Sequence, residues 1–191
     1  MRLLLSALAL LATTVCGQKM AVYTEATSGV QYSLAIPEVA TAPFDVYLSM
    51  VAPINNTYAA MAFGGCMLRS PLLVAWKNDT SIVASPRWAT AYHPPAPYNG
   101  TTVTVIKTSS VNATHWTANL LCTGCSSWLG GSVNSMGSAT FGFGVSNHPV
   151  ANPGNANSSI PFHNVNRGHF EVNITNARNS QSDFNTLKGE I

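Results

Sequence analysis

Charge is what this chain has least of. Only 8 % of its residues are charged, with 9 Lys and Arg against 7 Asp and Glu and a formal net charge of +2. The basic residues are scattered, which argues against a surface that tracks phosphates. The acids are Glu25, Glu38, Asp45, Asp79, Glu171, Asp183 and Glu190, and they offer no close carboxylate pair for glycoside hydrolysis. There is no Gly-x-Ser-x-Gly elbow for an esterase-type nucleophile. Beyond the first residues, no apolar run is long enough to cross a bilayer, and no internal repeat or second domain is visible.

What is present points to export. Arg2 followed by Leu3 to Val15 and then Val15-Cys16-Gly17 has the layout of a secretory leader, so residues 1–17 are expected to be a signal peptide and 18–191 one mature domain. Low charge with many Ser, Thr, Asn and Gly suits a secreted, glycan-solubilised protein. Six sequons begin at Asn55, Asn78, Asn99, Asn112, Asn157 and Asn173. Of the four cysteines, Cys16 belongs to the leader. Cys122 and Cys125 stand in Cys-Thr-Gly-Cys, read as a local disulfide in an oxidising compartment; a thioredoxin-like pair is the alternative, but no βαβ pattern surrounds it. Cys66 is left over and reads as a buried free thiol.

Strand signals fill the chain. Val30 to Ile36, Phe44 to Met50 and Thr101 to Ile106 alternate. Leu72-Leu73-Val74-Ala75-Trp76 is a continuous apolar run, as in a strand buried on both faces. Gly, Pro, Asn and Ser punctuate the strands at short intervals, which predicts a sandwich or barrel. The only helical piece expected is a weakly patterned tail from Asn176 to Leu187. Ala91–Gly100 and His148–Asn166 lack strand character, and long loops in a compact domain usually carry function.

The candidate chemistry lies in one methionine and several histidines. Met67 follows Gly64-Gly65-Cys66 in a turn between strands, where paired glycines let the backbone approach a neighbour closely. His93, His115, His148, His163 and His169 are possible partners. His93 lies in a Pro-rich loop, His115 is expected to be exposed, and His169 starts an alternating strand opposite Phe170 and Val172. His163 closes a long loop, a favourable ligand position. Spacing alone selects none of them. A Met/His pair suits haem iron at raised potential. Ser126 follows Cys125, so no Cys-x-x-Cys-His is present for covalent attachment and the haem would be b-type.

An ordered set of segments carries a resemblance: Gly64-Gly65-Cys66-Met67, Leu72 to Trp76, Trp88 to Tyr92, Pro97-Tyr98-Asn99-Gly100, Asn112 to Trp116, Cys122 to Trp128, His163 and Gly168-His169-Phe170. Together they resemble the cytochrome domain of cellobiose dehydrogenase and related secreted fungal haem domains. The resemblance implies an all-β fold, a two-sheet antiparallel, immunoglobulin-like β-sandwich with a haem b pocket at one end. It places Met67 and His163 as axial iron ligands, matches Cys122–Cys125 to a family disulfide, and sets Tyr92 and Tyr98 near the haem propionates. It also implies single-electron transfer outside the cell, from a flavin dehydrogenase such as cellobiose dehydrogenase to a copper polysaccharide monooxygenase or other acceptor, in lignocellulose degradation. The chain departs from cellobiose dehydrogenase in ending at Ile191 without a flavin domain or a Gly-x-Gly-x-x-Gly fingerprint, so it is expected to bind no FAD.

A second reading needs no haem: a secreted, carbohydrate-binding β-sandwich, with Trp76, Trp88, Trp116 and Trp128 available to stack on sugars. The chain is expected to be a monomer with no membrane span and no nucleic-acid partner.

Overall fold

The computed structural model describes residues 17–189. Its strands are β1 (Ala21–Thr24), β2 (Gln31–Pro37), β3 (Val46–Pro53), β4 (Tyr58–Ala62), β5 (Leu72–Asn78), β6 (Ser81–Trp88), β7 (Ala96–Pro97), β8 (Thr102–Val105), β9 (Ser110–Val111), β10 (His115–Thr123), β11 (Ser127–Trp128), β12 (Gly131–Ser132), β13 (Ser138–Ser146), β14 (Asn166–Asn173) and β15 (Arg178–Asn179). One helix, α1, spans Gln181–Lys188. The first sheet runs β1-β2-β3-β10-β8, with β9 against β10 and β15 parallel to β2. The second runs β14-β13-β4-β5-β6-β7, and β11-β12 forms a separate hairpin. The expected two-sheet, antiparallel sandwich is what forms.

The alternating residues of both sheets meet in one core. Leu34, Leu48, Met50 and Trp116 come from the first sheet, and Ala59, Met61, Leu73, Phe141 and Phe170 from the second. Each sheet also covers its outer face, which is why β2 to β5 read as nearly unbroken apolar runs. On the first sheet α1 lays Phe184 and Leu187 over Ala35, Tyr47 and Leu121. On the second, two patches form at a distance from each other. Val150 and Ile160 of segment 147–165 cover Tyr58, Val74 and Trp76, and Met67 and Leu68 cover Ala62, Leu72 and Ala89.

The tail departs from the expected single helix. A 3-10 turn at Ile174–Ala177 and the short β15 come first, and Ser180 then caps α1, its Oγ accepting from the Asp183 N–H. Buried Ile174, Ala177 and Asn179 tie that stretch to the sheet, an outcome that helix periodicity does not reveal. Cys122 and Cys125 are joined by a disulfide and fully buried, which removes the thioredoxin-like alternative.

Candidate functional site

Between the two apolar patches the outer face of the second sheet is left open. A cavity of about 740 Å³ lies there, a size suited to an organic cofactor. It sits against this outer face rather than between the sheets. Side chains directly opposite one another in an antiparallel pair share a face. The register pairs Gly142 with Ala62 and Gly144 with Ala60, and next Ala60 with Val74 and Ala62 with Leu72. The floor is therefore apolar over three strands, with small residues, Ala60, Ala62, Gly142 and Gly144, on two of them. His169 and Arg167, opposite Gly142 and Gly144 on β14, border it on one side.

The floor glycines are required by what approaches them. A Cβ on Gly142 would come within 3.0 Å of the Gly65 carbonyl oxygen, and one on Gly144 within 3.3 Å of the His163 ring. Alternate positions of one strand thus make room for the two candidate ligand loops.

Met67 belongs to the first of these loops. Gly65 takes a positive φ of 77°, and Ser70 Oγ donates to the Cys66 carbonyl at 3.0 Å. The Arg69 N–H donates to the Ala89 carbonyl, fastening the loop's far end beside β6. Met67 is half-buried and lines the cavity. Cys66 lines it too, but the thiol is free and exposed, contrary to the buried position expected of it. The turn at Gly64–Gly65 carries its side chain outward instead.

His163 belongs to the second loop, segment 147–165, which is pinned at many points. The Tyr58 hydroxyl donates to the Pro161 carbonyl at 3.0 Å, Trp76 Nε1 to the Pro153 carbonyl at 2.8 Å, and Ser146 Oγ to the Phe162 carbonyl at 3.0 Å. Asn164 Oδ1 accepts from the Asn147 N–H and shares the single Ser146 hydroxyl proton with the Phe162 carbonyl. The His163 ring packs on Phe162 at 4.2 Å, and the Arg167 guanidinium lies over the other ring's centroid at 5.4 Å. Burial lowers the His163 pKa below the ordinary histidine value, and the charge of Arg167 acts in the same direction. Its Nδ1 is buried with no hydrogen-bond partner. An imidazole, a thioether and a lining without any carboxylate suit a borderline or soft metal centre better than a hard cation. The small-residue floor fits a flat group, so the residues present fit haem.

The other candidates separate. His169 is exposed but borders the cavity, on the strand face opposite buried Phe170 as its alternation predicts. His93 also lines it, its Nδ1 3.0 Å from the Pro94 carbonyl. His148 and His115 do not line it, and His115 is half-buried rather than exposed because it sits in β10. Tyr92 is at the cavity mouth and 85 % exposed. Tyr98 is not a lining residue. It stacks on Trp88 at 4.9 Å and folds over Gly100, which corrects its expected place beside Tyr92. The sugar-stacking platform also fails to form. Trp76 and Trp116 are fully buried, Trp88 is covered by Tyr98, and Trp128 packs against the core. Of the sequon asparagines, Asn55, Asn99, Asn112, Asn157 and Asn173 are exposed and Asn78 is half-buried.

One contributor escaped the sequence reading. Arg87 sits in β6, opposite Leu72 of the cavity wall, and is only 2 % exposed. Nothing in the sequence marks it, because its burial and its partners come from folding.

Residues 12–185 match the family model described as the cytochrome domain of cellobiose dehydrogenase. The chain is 31 % identical over 136 residues to a pyrroloquinoline quinone-dependent pyranose dehydrogenase of Coprinopsis cinerea. That match covers 69 % of this chain but 18 % of the relative, so the chain corresponds to a small part of that longer protein. The solved cytochrome b domain of pyranose dehydrogenase from Coprinopsis cinerea superposes with a TM-score of 0.81 at 24 % identity, over 88 % of this chain and 89 % of that one. The cytochrome domain of Myriococcum thermophilum cellobiose dehydrogenase gives 0.76 at 21 % identity, over 92 % and 99 %. At those identities the two structures speak for the shared sandwich, and the family match speaks for kinship. This chain belongs to the family of cellobiose dehydrogenase cytochrome domains.

Proposed function

We propose that the chain is an extracellular b-type cytochrome that holds one haem b in the cavity of the second sheet, with Met67 and His163 as axial iron ligands, and carries single electrons between redox proteins. One observation carries the reading. A thioether and an imidazole from remote parts of the sequence meet at one cavity floored by Ala60, Ala62, Gly142 and Gly144. When bound, haem b supplies an iron that changes by one electron, and thioether ligation favours its reduced form. The protein's own residues do the rest. Segment 147–165 fixes the imidazole in place, and burial favours its neutral form, which has a lone pair to donate. The Gly65 turn delivers the thioether from the other loop. Met67 and His163 would both hold the iron, and an iron held by two protein side chains suits electron transfer better than binding of dioxygen or substrate.

The partners follow from kinship. The donor is a sugar dehydrogenase, flavin-dependent as in cellobiose dehydrogenase or quinone-dependent as in the curated relative. The acceptor is a copper polysaccharide monooxygenase or another one-electron acceptor. A net charge of +2 gives only modest steering, so brief encounters at a small interface suit the task. The leader and the exposed sequon asparagines support export; residues 1–16 lie outside the described residues. Tyr92 edges the mouth in this reading, and Tyr98 has no part in it.

An absorption spectrum of the secreted protein, oxidised and then reduced with dithionite, tests the proposal. A sharp alpha band and a shifted Soret band on reduction are expected. A colourless protein that takes up no added haem would overturn it.

A further inference from the structure

Arg87 presents a chemical anomaly. Its guanidinium is almost completely buried, yet none of its partners is a carboxylate. The only ion pair among the described residues is Lys188 with Asp45, at the opposite sheet. A buried charge that is not paired needs full hydrogen bonding to be tolerated. Arg87 uses four of its five N–H donors on neutral oxygens: Nε donates to Ser85 Oγ at 2.7 Å, Nη1 to the Pro95 carbonyl at 3.3 Å, and Nη2 to the Ala156 and Ser158 carbonyls, both at 2.7 Å.

The three carbonyls lie in two different loops. Pro95 ends the stretch whose Tyr92, His93 and Pro94 form one wall of the cavity. Ala156 and Ser158 lead into Ile160 and His163 on the other. Arg87 itself stands opposite Leu72, on the outer face of the sheet that forms the floor. Only a planar fork of fixed donors reaches all of these carbonyls at once; an ammonium does not.

We propose that Arg87 is the positioning residue of this site, a clasp that ties the His163 loop to the Tyr92–Pro95 loop and so sets how tightly the cavity retains haem. The proposal rests on the haem reading above. It assigns Arg87 no contact with the cofactor. Its effect reaches the cavity through the backbone of the two walls. Ser85 orients the fork from below, and both it and Ser158 are buried.

The test uses the haem-loaded full chain. Haem loss is followed by transfer to excess apomyoglobin, and amide hydrogen exchange is read in segments 91–95 and 147–165. Arg87→Gln is expected to release haem about tenfold faster or more, the scale of losing charge-assisted hydrogen bonds. It should also add high-spin character to the spectrum and lose amide protection in both segments together. Arg87→Lys should fall between, and it decides the matter if the Gln variant does not fold. The control is Phe184→Ala, which weakens the packing of α1 on the opposite sheet. It should lower the melting temperature while leaving haem release and spectrum as in the parent protein. The clasp is refuted if the Arg87 variants keep haem as the parent does, or if Phe184→Ala loses it equally fast. A parent protein that binds no haem defeats the functional reading instead. Exchange then still judges the clasp, which fails if both segments stay protected in Arg87→Gln.

Discussion

Single residues decide the chemistry proposed for the cavity. Met67→His is expected to retain low-spin haem but lower its midpoint potential, because imidazole donation favours the oxidised iron. Redox titration checks this, and an unchanged potential would remove Met67 as a ligand. His163→Ala is expected to lose haem or hold it loosely; full low-spin haem in that variant would point to His169, which borders the same cavity. Gly142→Ala tests the floor. Its new methyl would crowd the Gly65 carbonyl, where backbone must give way, so a loss of about 1–3 kcal/mol in stability is expected with weaker haem retention. Thermal melts and haem content measure both. At this scale the sequence was legible in part. Met67 and His163 emerge from it only through resemblance, since no local pattern joins residues that folding alone brings together. Gly142, Gly144 and Arg87 carried no usable sequence signal, because their roles depend on neighbours from other strands and loops. The resemblance set Tyr98 near the haem propionates with Tyr92, but the short pairing of β7 with β6 turns it onto Trp88.

At the scale of elements, segment 147–165 matters most. It has no regular structure, yet side chains of β4, β5, β6 and β13 fasten it. Tyr58→Phe is expected to cost about 1 kcal/mol by leaving the Pro161 carbonyl without its donor. It should raise amide exchange in that segment before any change in the sheets. Equal exchange in both proteins would show that the hydroxyl fixes nothing. The strands themselves were readable from alternation, and Leu72 to Trp76 was readable as covered on both faces. The tail was not, because its helix is short and Ile174, Ala177 and Asn179 are held by tertiary packing.

For the whole molecule, one buried carboxylate links two distant parts of the chain. Burial raises the pKa of Glu25, but hydrogen bonds from Ser28 Oγ, the Thr27 and Ser28 N–H groups and Asn166 Nδ2 outweigh it, and the pKa falls to about 2. Asn166 begins β14, directly after the His163 loop. A depressed acid pKa means the folded state binds fewer protons than the unfolded chain. Its stabilisation is thus complete above the ordinary carboxylate value of 4.5 and is lost as pH falls towards about 2. Melting temperatures between those limits should decline less steeply in Glu25→Gln, which cannot titrate; parallel slopes would contradict the assignment. The architecture at this scale is a sandwich with a covered outer face on each side. Composition and punctuation revealed the sandwich, but not that the second cover leaves a gap.

The most direct test of the central claim is X-ray absorption at the iron edge of the haem-loaded protein. A sulfur scatterer in the iron's ligand shell is expected beside porphyrin and imidazole nitrogens, and it should disappear in Met67→His. An iron shell containing only nitrogen and oxygen in the parent protein would contradict it.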